Sequence, residues 1–228
     1  MYPVSERFRK YILTAMVVSG VALGAIAHPR PVRSVAVDNP CNMVLTEDPM
    51  EPSDYISRLT DIQTRSEGIE LDAQGMKTQL KESGKVNSFT ATILDVYNFM
   101  DTEGMTISQD TISQVEALQS HFHFLLQYIL HIQDIKGNHT VWTNAETSNA
   151  ELLNALDHLE NQIRRTACSV VLALRAKGSD MPEYEPTLLD RYTTSTFPNV
   201  YKAYILANDS VKLGSYLKQM YGELSKAN

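Results

Sequence analysis

The sequence is poor in cysteine and aromatic residues, and it lacks the residue patterns on which most enzymes depend. Its 228 residues include two cysteines and one tryptophan, and 8% of them are aromatic. No glycine-rich phosphate loop, nucleophile elbow or paired set of carboxylates is present. We therefore expect neither enzyme activity nor a bound cofactor.

Apolar runs long enough to cross a membrane are also missing, with one exception near the N terminus. Arg7, Arg9 and Lys10 precede the 17-residue run YILTAMVVSGVALGAIA, which spans residues 11–27 and ends in small residues. A basic start, a short apolar run and a small-residue cleavage site are the parts of a secretory signal peptide. The alternative is an uncleaved anchor, although 17 residues are at the short limit for a span. We expect cleavage after residue 27 and secretion of residues 28–228 as one domain.

Excess positive charge is absent as well. The whole chain has a net charge of −7, and removal of residues 1–27 takes away three basic residues and one acidic residue, which leaves −9. Such a chain has no electrostatic reason to bind nucleic acid or an anionic membrane. In a secreted chain, Cys41 and Cys168 most simply pair with each other, and the alternative is two free buried thiols.

What the sequence does contain is helical periodicity in four long segments, over residues 53–83, 108–136, 148–177 and 198–226. In the first segment, apolar or small residues recur at alternating spacings of four and three, the period of one helix face: Tyr55, Leu59, Ile62, Ser66, Ile69, Ala73, Met76 and Leu80. Ser148 and Glu151 form a capping box that predicts the start of the third helix. The pattern predicts an all-α bundle of four long helices.

The lengths of the connections suggest how the four helices are arranged. The connection between the second and third helices is about ten residues long, whereas the other two are each about 20 residues long. Because long connections can join parallel helices from opposite ends, this order predicts an up-up-down-down bundle. Residues 85–106 include Phe89, Leu94, Val96 and Tyr97, so we expect this connection to pack over the bundle, with a short helix of its own.

Histidines can bind metal ions, and asparagines in a suitable sequence context can carry glycans. His121 and His123 are two residues apart, so they point to different helix faces and do not form a metal pair. Two glycosylation sequons occur, at Asn138 in the short connection and at Asn208 in the fourth helix. The site at Asn138 is the more accessible, and use of Asn208 requires an exposed local face.

The order of helices and three sequence features resemble long-chain helical cytokines of the interleukin-6 type. These features are the placement of Cys41 and Cys168, the segment ENQIRRTACSVVLALRAKG, and the segment NVYKAYILANDSVKLGSYLKQ. The branch that contains leukaemia inhibitory factor and oncostatin M is the most similar, and the similarity covers residues 40–228. Two departures are evident. Tyr201 and Tyr204 stand where the family has a Phe-x-x-Lys pair, and the second disulfide of that branch has no cysteines here.

The resemblance implies a secreted, monomeric cytokine that brings cell-surface receptor chains together. It implies a disulfide between the N-terminal segment and the third helix, through Cys41 and Cys168. A shared chain of the glycoprotein-130 type would bind the first and third helices, and a chain of the leukaemia-inhibitory-factor-receptor type would bind the head of the fourth helix with the neighbouring long connection. The candidate residues are Arg58, Arg65 and Arg165 for the former, and Phe197, Tyr201, Lys202 and Tyr204 for the latter. Tyr204 also lies on the apolar stripe of the predicted fourth helix, so burial in the core remains an alternative for it.

A different class of function stays open from the sequence alone. A secreted helical bundle could instead carry a lipid or another small ligand, and such a carrier would have a cavity and a less closely packed core.

Overall fold

The computed structural model describes residues 40–41, 54–97, 114–137, 146–180 and 198–227, and of residues 146–149 it describes the backbone alone. The described residues form five helices and no strand: α1 (Asp54–Glu82), α2 (Ser88–Leu94), α3 (Gln114–Gly137), α4 (Glu146–Ala176) and α5 (Asn199–Ala227). The predicted all-α class is therefore confirmed. The predicted signal peptide, Phe197 and Asn138 lie outside the described residues.

Helix α1 follows the predicted period closely. Its eight buried residues are the eight residues of the predicted stripe, from Tyr55 to Leu80. The helix ends at Glu82, and Gly84 follows with a φ of 70°, a conformation that glycine adopts without strain. The hydrogen bond from the amide of Val86 to the carbonyl of Leu80, 3.0 Å long, then turns the chain back toward the helix end.

Helix α4 differs from prediction at its start, whereas the start of α3 is not tested. The structure describes α3 from Gln114, so the predicted first turns at 108–113 lie outside the described residues. Helix α4 begins at Glu146, two residues before Ser148, so Ser148 is inside the helix rather than its N-cap. At the other end, Gly178 has a φ of 69° and stops α4 as predicted.

Helix α5 is enclosed over its N-terminal half. All nine consecutive residues from Lys202 to Ser210 are buried, although one side of a helix ordinarily faces solvent. The predicted core residues Tyr204, Ala207, Leu217 and Tyr221 are among those fully buried in the helix, while Val200 and Leu224 are half-buried.

Helix α1 packs against both α4 and α5. The closest approach is at Gly214 of α5, where a side-chain Cβ would lie 2.6 Å from the amide nitrogen of Glu70 and 2.7 Å from the carbonyl oxygen of Ser66. On the other side, Gly68 of α1 lies against the amide group of Gln162 in α4. Small residues thus allow the backbone of α1 to come close to both partner helices.

Polar side chains join α3 to α4. The buried carboxylate of Glu160 accepts hydrogen bonds from Gln133 at 3.1 Å, Lys136 at 2.7 Å and Arg164 at 2.9 Å. Lys136 also forms an ion pair with Asp157. These donors lower the pKa of Glu160 against the opposing effect of burial, so the carboxylate stays ionised between the helices.

The two cysteines form one disulfide. Cys41 and Cys168 are bonded, with their Cα atoms 4.8 Å apart, and the bond connects the N-terminal segment to the C-terminal half of α4. Both residues are half-buried.

Candidate functional site

Helix α2 and the residues just after it include the two most exposed large apolar side chains of the described residues. Phe89 and Val96 are each 76% exposed, and Tyr97 is exposed as well. We call these three residues the α2 patch. The expectation that they are buried was wrong for all three. Helix α2 has few inward positions, which Ala91 and Leu94 occupy, and Val96 and Tyr97 follow the end of the helix.

Four polar residues hold the end of α2 against the bundle. The hydroxyl of Tyr204 donates a hydrogen bond of 3.1 Å to Oδ1 of Asp95, and Nζ of Lys77 lies 3.4 Å from the same oxygen. Lys77 also donates to Oδ1 of Asn208 at 2.5 Å. We call Lys77, Asp95, Tyr204 and Asn208 the latch. It connects α1, α5 and the residue that follows α2.

The head of α5 offers a smaller surface than the sequence suggested. Pro198 is exposed and its carbonyl accepts the amide hydrogen bonds of Tyr201 and Lys202, at 2.9 and 3.1 Å. Tyr201 is half-buried and packs against the core. Lys202 is only 8% exposed and lies near buried His131 of α3, so little of it can contact a partner in this conformation.

Tyr204, which with Tyr201 stands at the positions of the Phe-x-x-Lys pair, is fully buried. Lys77 and Lys81 lie over its ring at 5.4 and 5.6 Å from the centroid, distances at which cations attract an aromatic ring. Burial and the adjacent Asp95 carboxylate raise the pKa of Tyr204, so its hydroxyl keeps its proton and acts as a donor.

The three candidate arginines lie on α1 and α4. Arg165 is exposed on α4. Arg58 is half-buried and donates through Nη1 to Asp61 at 3.2 Å. Arg65 is half-buried, and its Nε has no hydrogen-bond partner among the described residues. Arg165 is therefore the most accessible of the three cations.

The second glycosylation sequon lies in the enclosed part of α5. Asn208 is 6% exposed, and Asp209 and Ser210 are fully buried. Because its side chain binds Lys77 inside the latch, Asn208 has no room for a glycan in the folded protein. Among the described residues, the side chain of Asn208 is thus a structural acceptor.

Two histidines of α3, His121 and His131, are buried. Nδ1 of His121 lies 2.7 Å from the hydroxyl of Tyr221, and Nε2 lies 3.2 Å from the hydroxyl of Tyr216. Burial lowers the pKa of His121 to about 4. Burial, with a smaller effect of Lys202, lowers the pKa of His131 to about 4 also. Both rings are consequently neutral at physiological pH.

The described residues contain no group of three or more histidine, cysteine, aspartate or glutamate side chains arranged to hold a metal ion. Across the described ranges, no helix has the length and apolar character of a membrane span.

No family model, curated protein or solved structure matches this chain. The function must therefore be argued from the chain itself.

The sequence identified Tyr201 and Lys202 but not the latch or the exposure of the α2 patch. Lys77 and Asp95 are charged residues beside apolar stripes, which ordinarily indicates a solvated position. The separation of 131 residues between Lys77 and Asn208 leaves no local signal for their contact.

Proposed function

We propose that this protein is a secreted cytokine with an up-up-down-down four-helix bundle, which brings receptor chains together on the cell surface. One receptor, of the leukaemia-inhibitory-factor-receptor type, binds the α2 patch and the head of α5. A shared chain of the glycoprotein-130 type binds the exposed sides of α1 and α4, including Arg165.

Contacts at the helix ends support the proposed topology. Tyr55, at the start of α1, donates to Gln114 at the start of α3 over 3.1 Å, which favours parallel α1 and α3. Lys177, just after α4, lies 4.0 Å from the centre of the Tyr55 ring, while Gln79 near the end of α1 donates to Glu151 near the start of α4. This pair of contacts favours α4 antiparallel to α1.

Contacts of α5 support the same arrangement. Lys77, late in α1, meets Asn208, early in α5, whereas Glu70 pairs with Lys218 further along α5 at 2.6 Å. Gln63, earlier still in α1, lies against Gly222. The residues of α1 and α5 therefore pair in opposite order, as expected for antiparallel helices.

The observation that carries the proposal is the exposed α2 patch beside the head of α5. The three residues lie within a stretch of nine residues, and contiguous exposed apolar surface often marks protein–protein interaction sites. Aromatic side chains such as Phe89 and Tyr201 are also typical anchors of such interfaces. The disulfide is compatible with an oxidising, extracellular compartment.

The test uses the purified mature protein and the ectodomains of the two receptor types. We expect each ectodomain to bind, and cells that carry both receptors to respond with phosphorylation of downstream signalling proteins. Phe89→Asp should reduce binding of the leukaemia-inhibitory-factor-receptor-type ectodomain alone, and Arg165→Glu should reduce binding of the shared chain alone. Leu71→Asp, at a 65% exposed position of α1, is the matched control for the first variant.

Two results would contradict this function. One is the absence of binding and of a cellular response for every receptor pair. The other is the recovery of a stoichiometric lipid from the purified protein, which would favour the carrier function instead.

A further inference from the structure

Tyr204 has no surface with which to contact a partner. Its side chain is fully buried, and its ring lies beneath the ammonium groups of Lys77 and Lys81. A role for Tyr204 in receptor binding must therefore act through the residues that it contacts.

The residue that Tyr204 reaches is the one that ends α2. Asp95 caps this helix with a backbone amide that donates to the carbonyl of Ala91 at 2.8 Å, and its side chain accepts the hydrogen bond of Tyr204. Val96 and Tyr97 of the α2 patch follow directly. The residue that accepts the hydrogen bond of Tyr204 thus directly precedes two residues of the α2 patch.

Helix α2 depends on such contacts for its position. It has seven residues, and an isolated helix of that length is unstable in water. Its buried anchors are Ala91 and Leu94, while Phe89 at its N-terminal end is mostly exposed. Val86, just before the helix, is buried as well, and the contact of Asp95 with Tyr204 adds an attachment at the other end of the helix.

We propose that Tyr204 is a positioning residue, which fixes α2 through Asp95 and so presents the α2 patch to the receptor in an ordered form. Lys77 assists by holding the same carboxylate oxygen and Asn208 together. A patch that is ordered before binding loses less conformational entropy on binding. The inference rests on the proposed function, because it concerns the receptor that binds α2 and the head of α5.

The decisive variant is Tyr204→Phe, which removes the hydroxyl and keeps the buried ring. We expect faster amide hydrogen exchange across residues 88–97, and a roughly threefold to tenfold weaker binding of the leukaemia-inhibitory-factor-receptor-type ectodomain. Binding of the shared chain at α1 and α4 should not change. Tyr204→Phe combined with Asp95→Ala should be no weaker than the weaker single variant, because both substitutions remove the same hydrogen bond.

Tyr216→Phe is the matched control. It removes another tyrosine hydroxyl of α5, one that contacts His121 of α3 and Met220 of α5 itself. It should lower stability without changing exchange in α2 or binding of either receptor.

Several outcomes would overturn the inference. Unchanged exchange in α2 after Tyr204→Phe would refute the positioning role even if no receptor binds, and unchanged receptor binding with faster exchange would refute its link to binding. Equal losses at both receptors would show a general destabilisation instead. If the unmodified protein binds neither receptor, the proposed function fails, and the receptor part of this inference fails with it.

Discussion

Acid should destabilise this protein through the two buried histidines of α3. His121 and His131 have an ordinary pKa of 6.5 in the unfolded chain and a pKa of about 4 in the folded protein, because burial disfavours the charged ring. Between these values the unfolded chain binds protons that the folded protein cannot bind. The free energy of unfolding must therefore fall as the pH drops from 6.5 toward 4.

The size of the effect follows from the difference between the two pKa values. At about 1.4 kcal/mol per pKa unit, each histidine should lower the free energy of unfolding by roughly 2 kcal/mol at pH 5 and roughly 3 kcal/mol at pH 4, relative to pH 8. Together they remove roughly 4 kcal/mol at pH 5, a large part of the 5–15 kcal/mol typical of a native protein.

The assay is urea unfolding followed by circular dichroism at pH 7.5 and pH 5. His121→Gln should reduce the difference between the two free energies by roughly half, because one of the two titrating groups is gone. His158→Gln removes an exposed histidine of α4 and should leave that difference unchanged. An NMR titration that places the folded-state pKa of His121 near 6.5 would refute the reasoning.

Three further predictions concern packing, modification and the disulfide. Gly214→Ala should cost about 1–3 kcal/mol in thermal unfolding, because its Cβ would lie 2.6 Å from an α1 backbone nitrogen. Gly75→Ala, which meets open space on α1, should instead stabilise by about 0.5–1 kcal/mol; a loss in both would contradict the packing argument. In protein secreted by glycosylating cells, Asn208→Gln should leave the glycan mass unchanged, and a lost glycan would show that the site is used. Replacing Cys41 and Cys168 with serine should lower the free energy of unfolding by about 2–5 kcal/mol, measured by urea denaturation, and an unchanged value would show that the bond adds nothing.

The predictability of each helix depended on how clearly its apolar and charged residues were separated. Helix α1 has one apolar stripe, with residues such as Glu67 and Thr64 on its exposed side, so the sequence identified every buried residue. Helix α2 was predicted only as a short helix in a buried connection. Its apolar residues outnumber its inward positions, and a period cannot tell which of them remain exposed.

The candidate site was predictable only in part, because its polar contacts join distant parts of the chain. The helical period of α5 predicts that Lys202, Asn208 and Ser210 face outward, yet all three are buried. For Asn208 the partner is Lys77, and that partner is set by the packing of helices rather than by neighbouring sequence. Tyr204 shows the same limit, since its spacing was compatible with both receptor contact and core.

The disulfide divides the chain into a covalent ring and two tails, one before Cys41 and one after Cys168. The bond between Cys41 and Cys168 closes a ring that contains α1, α2, α3 and most of α4, whereas α5 lies outside it. One proteolytic cut between α2 and α3 would leave both pieces covalently joined until the disulfide is reduced. One cut between α4 and α5 would leave α5 attached by packing alone. Its buried tyrosines, the head of the helix and two of the four latch residues, Tyr204 and Asn208, would all be on the detachable piece. Loss of that single helix would remove the α5 part of one proposed receptor site, while the α2 patch would stay in the intact ring.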